Sequence, residues 1–158
     1  MSGNWLLCLV VMIVGCSGSR SSQIGVAGSG LAPCPDSPNC VSSQSEDKGH
    51  AVAPLRYEGE AEAAMRELVG VIRGMRGAHI KTVQERYIHA EFTSFLFRFV
   101  DDVEFLLDDG SKTIHVRSAS RVGYSDLGVN RRRVEAIRSR FDALRGKEGL
   151  NPGSDRSP

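Results

Sequence analysis

The sequence predicts an α+β two-layer sandwich, a four-stranded antiparallel sheet with two helices packed on one face. Three observations carry this. Ala61, Met65, Leu68, Ile72 and Met75 recur at alternating steps of four and three residues, one continuous helical face. Between positions 78 and 117, short runs alternate apolar and polar residues and are joined by tight turns, the pattern of half-buried antiparallel strands. A second helical stripe, Val134, Ile137, Phe141 and Leu144, follows them. The chain has 158 residues, 25% charged and 41% apolar, which suits one globular domain.

The first helix opens where Glu58, Glu60 and Glu62 crowd its positive end, and Arg73, Arg76 and Gly77 close it. The first strand is Ala78 to Gln84, rich in Ile, Thr and Val. Tyr87 to Thr93 is the second, with Ile88, Ala90 and Phe92 inward; Phe95, Phe97 and Phe99 would continue its apolar face after a bulge. The third is Asp102 to Leu107, with Val103, Phe105 and Leu107 inward. Asp108-Asp109-Gly110-Ser111 is a hairpin turn of the Asp-Gly kind. Lys112 to Arg117 completes the sheet, and the final helix is expected over Val129 to Leu144.

Ahead of this domain, Trp5 to Val14 is apolar but too short to span a bilayer, and it has the length of a signal-peptide core. It ends in Ile13-Val14-Gly15-Cys16, which resembles the lipobox of bacterial lipoproteins, although residues 1 to 4 hold no Lys or Arg. The alternative is an uncleaved hydrophobic N-terminus. The expected organisation is a signal peptide over 1–15, a flexible Ser/Gly-rich tether over 16–30 behind a lipidated Cys16, one domain over 31–145, and a disordered tail over 146–158. This places the protein in the cell envelope, with the membrane as a partner through the lipid. Ser17 after the cysteine resembles outer-membrane sorting, on the periplasmic side.

Cysteine usage agrees with export. Cleavage removes Cys8 and lipidation uses Cys16, which leaves Cys34 and Cys40 as a pair for one disulfide. A metal site with His50 is the weaker alternative, because a single pair with five intervening residues lacks the C-x2-C signature. No metal and no cofactor is expected.

The net charge of +1 gives no field for nucleic acid. Charge is instead segregated: Asp101, Asp102, Glu104, Asp108 and Asp109 form an acidic segment, and Arg131, Arg132, Arg133, Arg138, Arg140, Arg145 and Lys147 a basic helix. Between them Ser118, Ser120, Arg121, Gly123, Tyr124, Ser125, Asp126 and Gly128 join strand to helix. Asp126 or Asn130 can cap that helix. Three arginines in a first turn are unfavourable, since that end favours negative charge. A bound anion would relieve them, and so would a carboxylate from Asp126, Asp101 or Asp102. The candidate ligand site is therefore Arg117, Arg121, Asp102, Tyr124, Asp126, Asn130 and Arg131.

A second candidate is the outward sheet face, where His89, Glu91, Glu104, His115 and Arg117 could bind metal, do acid–base chemistry, or form a solvated polar face. Ser42, Ser43, Ser118 and Ser120 lack a G-x-S-x-G elbow, and no P-loop or G-x-G-x-x-G is present.

The stretches LAPCPDSPNCVSSQ (Leu31 to Gln44) and FRFVDDVEFLLDDGSKTIHVRSASRVGYSDLGVNRRRVEAIR (Phe97 to Arg138) closely resemble the bacterial and plant family called domain of unknown function 1499. The resemblance runs from Leu31 to Phe141 and implies no established reaction. Its signature positions fall in the same corner: Cys34-Pro35, Ser37-Pro38-Asn39-Cys40, Asp101-Asp102-Glu104, Arg117-Ser118-Ser120-Arg121, Gly123-Tyr124-Asp126, Gly128-Asn130-Arg131 and Glu135. The expected role is a non-catalytic envelope domain binding a small anion or an envelope protein. The alternatives are a hydrolase using His115, His89 or Asp126, and a purely structural protein whose ion network fixes the fold.

Overall fold

The computed structural model describes residues 24–95 and 98–148. The expected signal peptide, the lipidation site Cys16, and positions 149–158 of the expected tail lie outside the described residues.

The elements follow in order: β1 (Val26–Ala27), β2 (Gly30–Leu31), β3 (Cys40–Ser42), β4 (Leu55–Arg56), α1 (Ala61–Arg73), β5 (Ala78–Val83), β6 (Tyr87–Thr93), β7 (Val100–Asp108), β8 (Thr113–Ser120) and α2 (Val129–Glu148). The fold is α+β with two helices and one large antiparallel sheet. That sheet has six strands rather than four, ordered β3-β8-β7-β6-β5, with β4 also paired to β8. The two additional strands hold three and two residues. Neither is long enough to show an alternating pattern, and both are held by the outer edge of β8.

Both helices cover one face, where Val103, Phe105, Ile114, Val116, Leu68, Ile72, Val134, Ile137 and Phe141 form a single apolar core. Burying side chains of this size stabilises by about 1.5–3 kcal/mol each. α1 contributes Ala64, Met65, Leu68, Val71 and Ile72, as its spacing predicts. α2 contributes Val134, Ile137 and Phe141, whereas Leu144 is exposed. The helix also runs past Leu144 to Glu148, so positions 146–148 of the expected tail are helical.

Three expectations need correction. Phe95 and Phe99 do not extend a strand: β6 ends at Thr93 and β7 begins at Val100, and both rings are exposed in the connection. Phe97 lies outside the described residues. The β7–β8 turn places Lys112, not Gly110, in the left-handed region, at φ 51°. Asp108 holds that turn by accepting hydrogen bonds from Gly110 N and Ser111 Oγ. Finally, Ser118, Ala119 and Ser120 belong to β8, so the strand reaches into the corner.

Residues 26–31, largely within the stretch read as a tether, form the β1–β2 hairpin, which lies against β7 and β8. The Cys34–Cys40 disulfide follows it, with the two Cα atoms 5.6 Å apart.

At the end of α1 the chain reverses through Gly77, at φ 78°. A Cβ on Gly77 would stand 2.5 Å from the Thr93 carbonyl oxygen, which no backbone-to-side-chain contact tolerates. Gly77→Ala is expected to destabilise the protein by more than about 2 kcal/mol, the left-handed penalty plus the clash, measured by denaturant unfolding.

Candidate functional site

Successive side chains on a strand point to opposite faces. On β7 this sends Asp101 to the helix face and Asp102 and Glu104 to the opposite face. The arginines that follow are thereby divided between two layers, and the polar corner is not one site.

On the helix face, Arg133 donates to Asp101 Oδ2 at 2.5 Å, and also to Ser118 Oγ and Asn130 Oδ1. Its guanidinium stacks on the Phe92 ring, 4.9 Å from the centroid. Asn130 is fully buried and satisfied on both sides. Its Oδ1 accepts from Ser118 Oγ, and its Nδ2 donates to Ser120 Oγ at 2.9 Å and to the Asn39 carbonyl at 3.0 Å. Asn39 in turn accepts Ser120 N and donates to the Gly123 carbonyl. The disulfide loop is thus fastened to the corner through one asparagine that charge reasoning overlooks; only the family signature marks it.

On the opposite face, Glu104 and Arg117 are paired across strands at 3.0 Å and are 0% and 1% exposed. Glu104 also accepts Tyr87 Oη at 2.7 Å and the Gly25 amide at 2.5 Å. Burial and the neighbouring Glu104 push the Tyr87 phenol well above its usual range, so it stays a donor. Beside this pair, Arg121 grips Asp102 through Nε at 2.8 Å and Nη2 at 2.7 Å, and reaches Glu91 at 2.5 Å. His89 Nε2 lies 2.8 Å from the same Asp102. The Arg121 hydrogen bond holds the Glu91 carboxyl below its ordinary range, against the opposing effect of burial. Hydrogen bonding to Asp102 raises Arg121 further. His89, Glu91, Glu104 and Arg117 therefore do meet across strands, as the alternation predicts. The face is not solvated at β7 and β8, because the N-terminal hairpin covers it there.

The remaining candidates are separate. Asp126 caps α2: its Oδ1 accepts Gly128 N at 2.8 Å and its Oδ2 accepts Asn130 N at 2.7 Å. The negative charge that the triple-arginine helix end requires is thus supplied from within the chain. Arg131 points elsewhere and donates to the Ala51 and Gly49 carbonyls at 2.6 and 2.8 Å, bracing the loop after β3. Tyr124 is 76% exposed.

His115 Nδ1 lies 3.2 Å from Ser43 Oγ, but that hydroxyl already accepts Val116 N at 2.9 Å and ties β3 to β8. His50 Nδ1 meets the Cys40 carbonyl, and the cysteines expected to join it at a metal are bonded to each other. Among the described residues no group of three or more His, Cys, Asp or Glu is arranged to hold a metal.

A feature that sequence reasoning missed lies at the end of the sheet where β6 turns toward β7. A groove of about 600 Å³ is walled by Phe92, Phe95, Val129, Arg76, Arg98 and Arg132, with His79 and Arg133. Among the described residues that line it, none is a carboxylate. Arg76 stacks on Phe95 at 4.3 Å. The expected strand through Phe95 and Phe99 concealed it, because an apolar run in a loop and one in a strand look alike in sequence.

A family model described as "Protein of unknown function (DUF1499)" matches residues 30–141, which includes the disulfide loop, the whole main sheet and the corner. No curated protein matches the chain.

Two predictions follow from the buried pairs. Arg117→Met leaves the buried Glu104 without its ion-pair partner, and should destabilise by about 3–5 kcal/mol in denaturant unfolding; adding Glu104→Leu should recover most of the loss. Glu91 titrates at its ordinary value of about 4.5 when unfolded and lower when folded, so the unfolded state binds more protons in that window. Its contribution is present above pH 4.5 and is lost as pH falls through the folded value. Glu91→Gln should flatten the acid limb of a stability–pH curve relative to the unsubstituted protein.

Proposed function

The chain belongs to the DUF1499 family, and we propose that it is a lipid-anchored envelope protein whose single domain binds an anionic ligand without catalysis, in the groove beneath the β6–β7 connection. The single observation that supports anion binding is the composition of that groove: arginines and aromatic rings without one opposing carboxylate among the described residues. Arg133 is neutralised by Asp101. Arg76, Arg98 and Arg132 face the groove with no acidic partner among its walls. Arginine over an aromatic ring recognises carboxylate or phosphate through its fork of donors while the ring takes an apolar portion of the same ligand.

The corner first expected to bind the anion does the opposite work. Each of its arginines has an internal acceptor, and its helix end is capped by Asp126. Arg117, Arg121, Asp102, Asn130 and Arg131 are read as structural, and this part of the purely structural alternative is retained. No observation favours the hydrolase alternative. His89 is engaged by Asp102, Asp126 by the helix, and Ser43 by a backbone amide.

A thermal-shift series with phosphate, sulfate and carboxylates tests the reading. A ligand at about one hundred times its dissociation constant should add roughly 2.7 kcal/mol, a shift of several degrees. Arg98→Ala and Arg132→Ala should abolish the shift. Arg131→Ala, outside the groove, should keep it; loss of the shift only in Arg131→Ala would return the site to the corner.

A further inference from the structure

The end of the sheet where β6 stops and β7 starts is also where β8 stops and α2 starts. This pole exposes large apolar side chains: Phe95 at 79%, Tyr124 at 76% and Leu127 at 85%, with Phe99 and Val122 about half exposed. The start of the β8–α2 loop is tied to the start of β7, where Arg121 N donates to the Val100 carbonyl, and the far end of that loop is tied to α2, where Arg132 donates to the Leu127 carbonyl at 2.9 Å. Arg76, Arg98 and Arg132 stand among these groups as walls of the groove, and among the described residues that line it none is a carboxylate. Asp101 and Asp126 at the same pole are already engaged.

Arg98 and Leu127 sit at φ 55° and 52°, a left-handed conformation that non-glycine residues adopt only with strain. An exposed leucine held this way gains nothing from the core. Strain of this kind concentrates at positions selected for contact with something else.

Apolar tips interleaved with guanidinium groups match one surface in particular. At the interface of an anionic bilayer, aromatic and aliphatic side chains enter the headgroup–acyl boundary while arginines meet lipid phosphates. The chain outside the described residues favours this occupant over a protein. From Cys16 to Ile24 is eight residues, which span at most about 28 Å when extended. Gly25 is fixed at Glu104, three residues along β7 from Asp101, or about 10 Å from the pole. A lipid on Cys16 would therefore hold the pole within its own reach of the membrane, where even weak docking is favoured by a high effective concentration.

We propose that this pole docks onto the anionic membrane surface that bears the Cys16 lipid, with Phe95, Tyr124 and Leu127 inserted and Arg76, Arg98 and Arg132 on headgroup phosphates. The inference rests on the groove being a site for anions and on the anchor at Cys16, and it names lipid headgroups as the ligand.

The chain's one tryptophan, Trp5, lies in the segment expected to be removed before Cys16, so the lipidated protein has no indole of its own and a reporter can be placed at will. The mature protein lipidated at Cys16 and carrying Tyr124→Trp is mixed with phosphatidylcholine vesicles, with or without phosphatidylglycerol, containing acyl-brominated lipid as quencher. Val83→Trp, exposed at the opposite end of the sheet, is the reference, and Phe95→Trp is a second reporter if Tyr124→Trp fails to fold. The expected result is a blue shift and quenching of Tyr124→Trp in anionic vesicles only, with Val83→Trp unchanged. Arg98→Gln with Arg132→Gln should weaken docking roughly thirtyfold. Protein that floats with vesicles while both indoles respond alike keeps the anchor and overturns the docking. Stabilisation by inorganic phosphate without an indole response keeps the groove for a free anion and overturns the lipid. Failure to float, with no phosphate effect, removes both readings.

Discussion

The alternation of side chains along β7 is the constraint on which the polar architecture depends. Asp101 and Asp102 are adjacent in sequence and face opposite layers, and each takes a different arginine: Arg133 from α2 and Arg121 from the end of β8. A slip of one residue in the β7–β8 register would exchange the faces of both carboxylates and put Val103 and Phe105 against the wrong layer. The ion pairs and the apolar core therefore specify the same register. The Phe92 ring reinforces this on the helix side by receiving the Arg133 guanidinium that Asp101 orients.

The opposite face is unusual in what it buries. Glu104, Arg117 and Asp102 are removed from water beneath the N-terminal hairpin, and charges desolvated in this way stabilise only when well paired. Tyr87, the Gly25 amide and the Arg121 fork supply the pairing. The cover is a two-stranded hairpin that makes too little core to stand alone. It is held because Glu104 needs its amide, and Glu104 is tolerated because the hairpin is there. The sheet face and the N-terminal segment order each other.

Much of the fold was legible in the sequence. The stripes of α1 and α2, the four longer strands, the hairpin at Asp108–Ser111 and the Cys34–Cys40 bridge rest on local periodicity or on counting, and the structure contains them. β3 and β4 were not legible, since Cys40–Ser42 and Leu55–Arg56 exist only as partners of β8. Nor was the cover over Glu104, because a Gly/Ser-rich segment announces freedom and its ordering depends on a carboxylate 79 positions away. The residue types at the corner pointed to a demand for negative charge. The helix end does need a negative charge, and Asp126 provides it. What composition could not show was that three arginines in a row would turn to three different destinations: the Gly49–Ala51 backbone, the Leu127 carbonyl beside the groove, and Asp101.

The disulfide has a mechanical consequence. Tension applied to the chain ahead of Ile24 enters through the β1–β2 hairpin and arrives at Cys34. There the covalent bridge carries it directly to Cys40, bypassing the prolyl loop between them. Cys40 opens β3, which is bonded along its length to β8, and β8 is bonded on its other edge to β7. The load is therefore delivered into the hydrogen-bonded sheet rather than to a free end. Peeling of the hairpin can begin under force, but the bridge arrests it at Cys34, before it reaches Asn39 and the corner that Asn39 fastens.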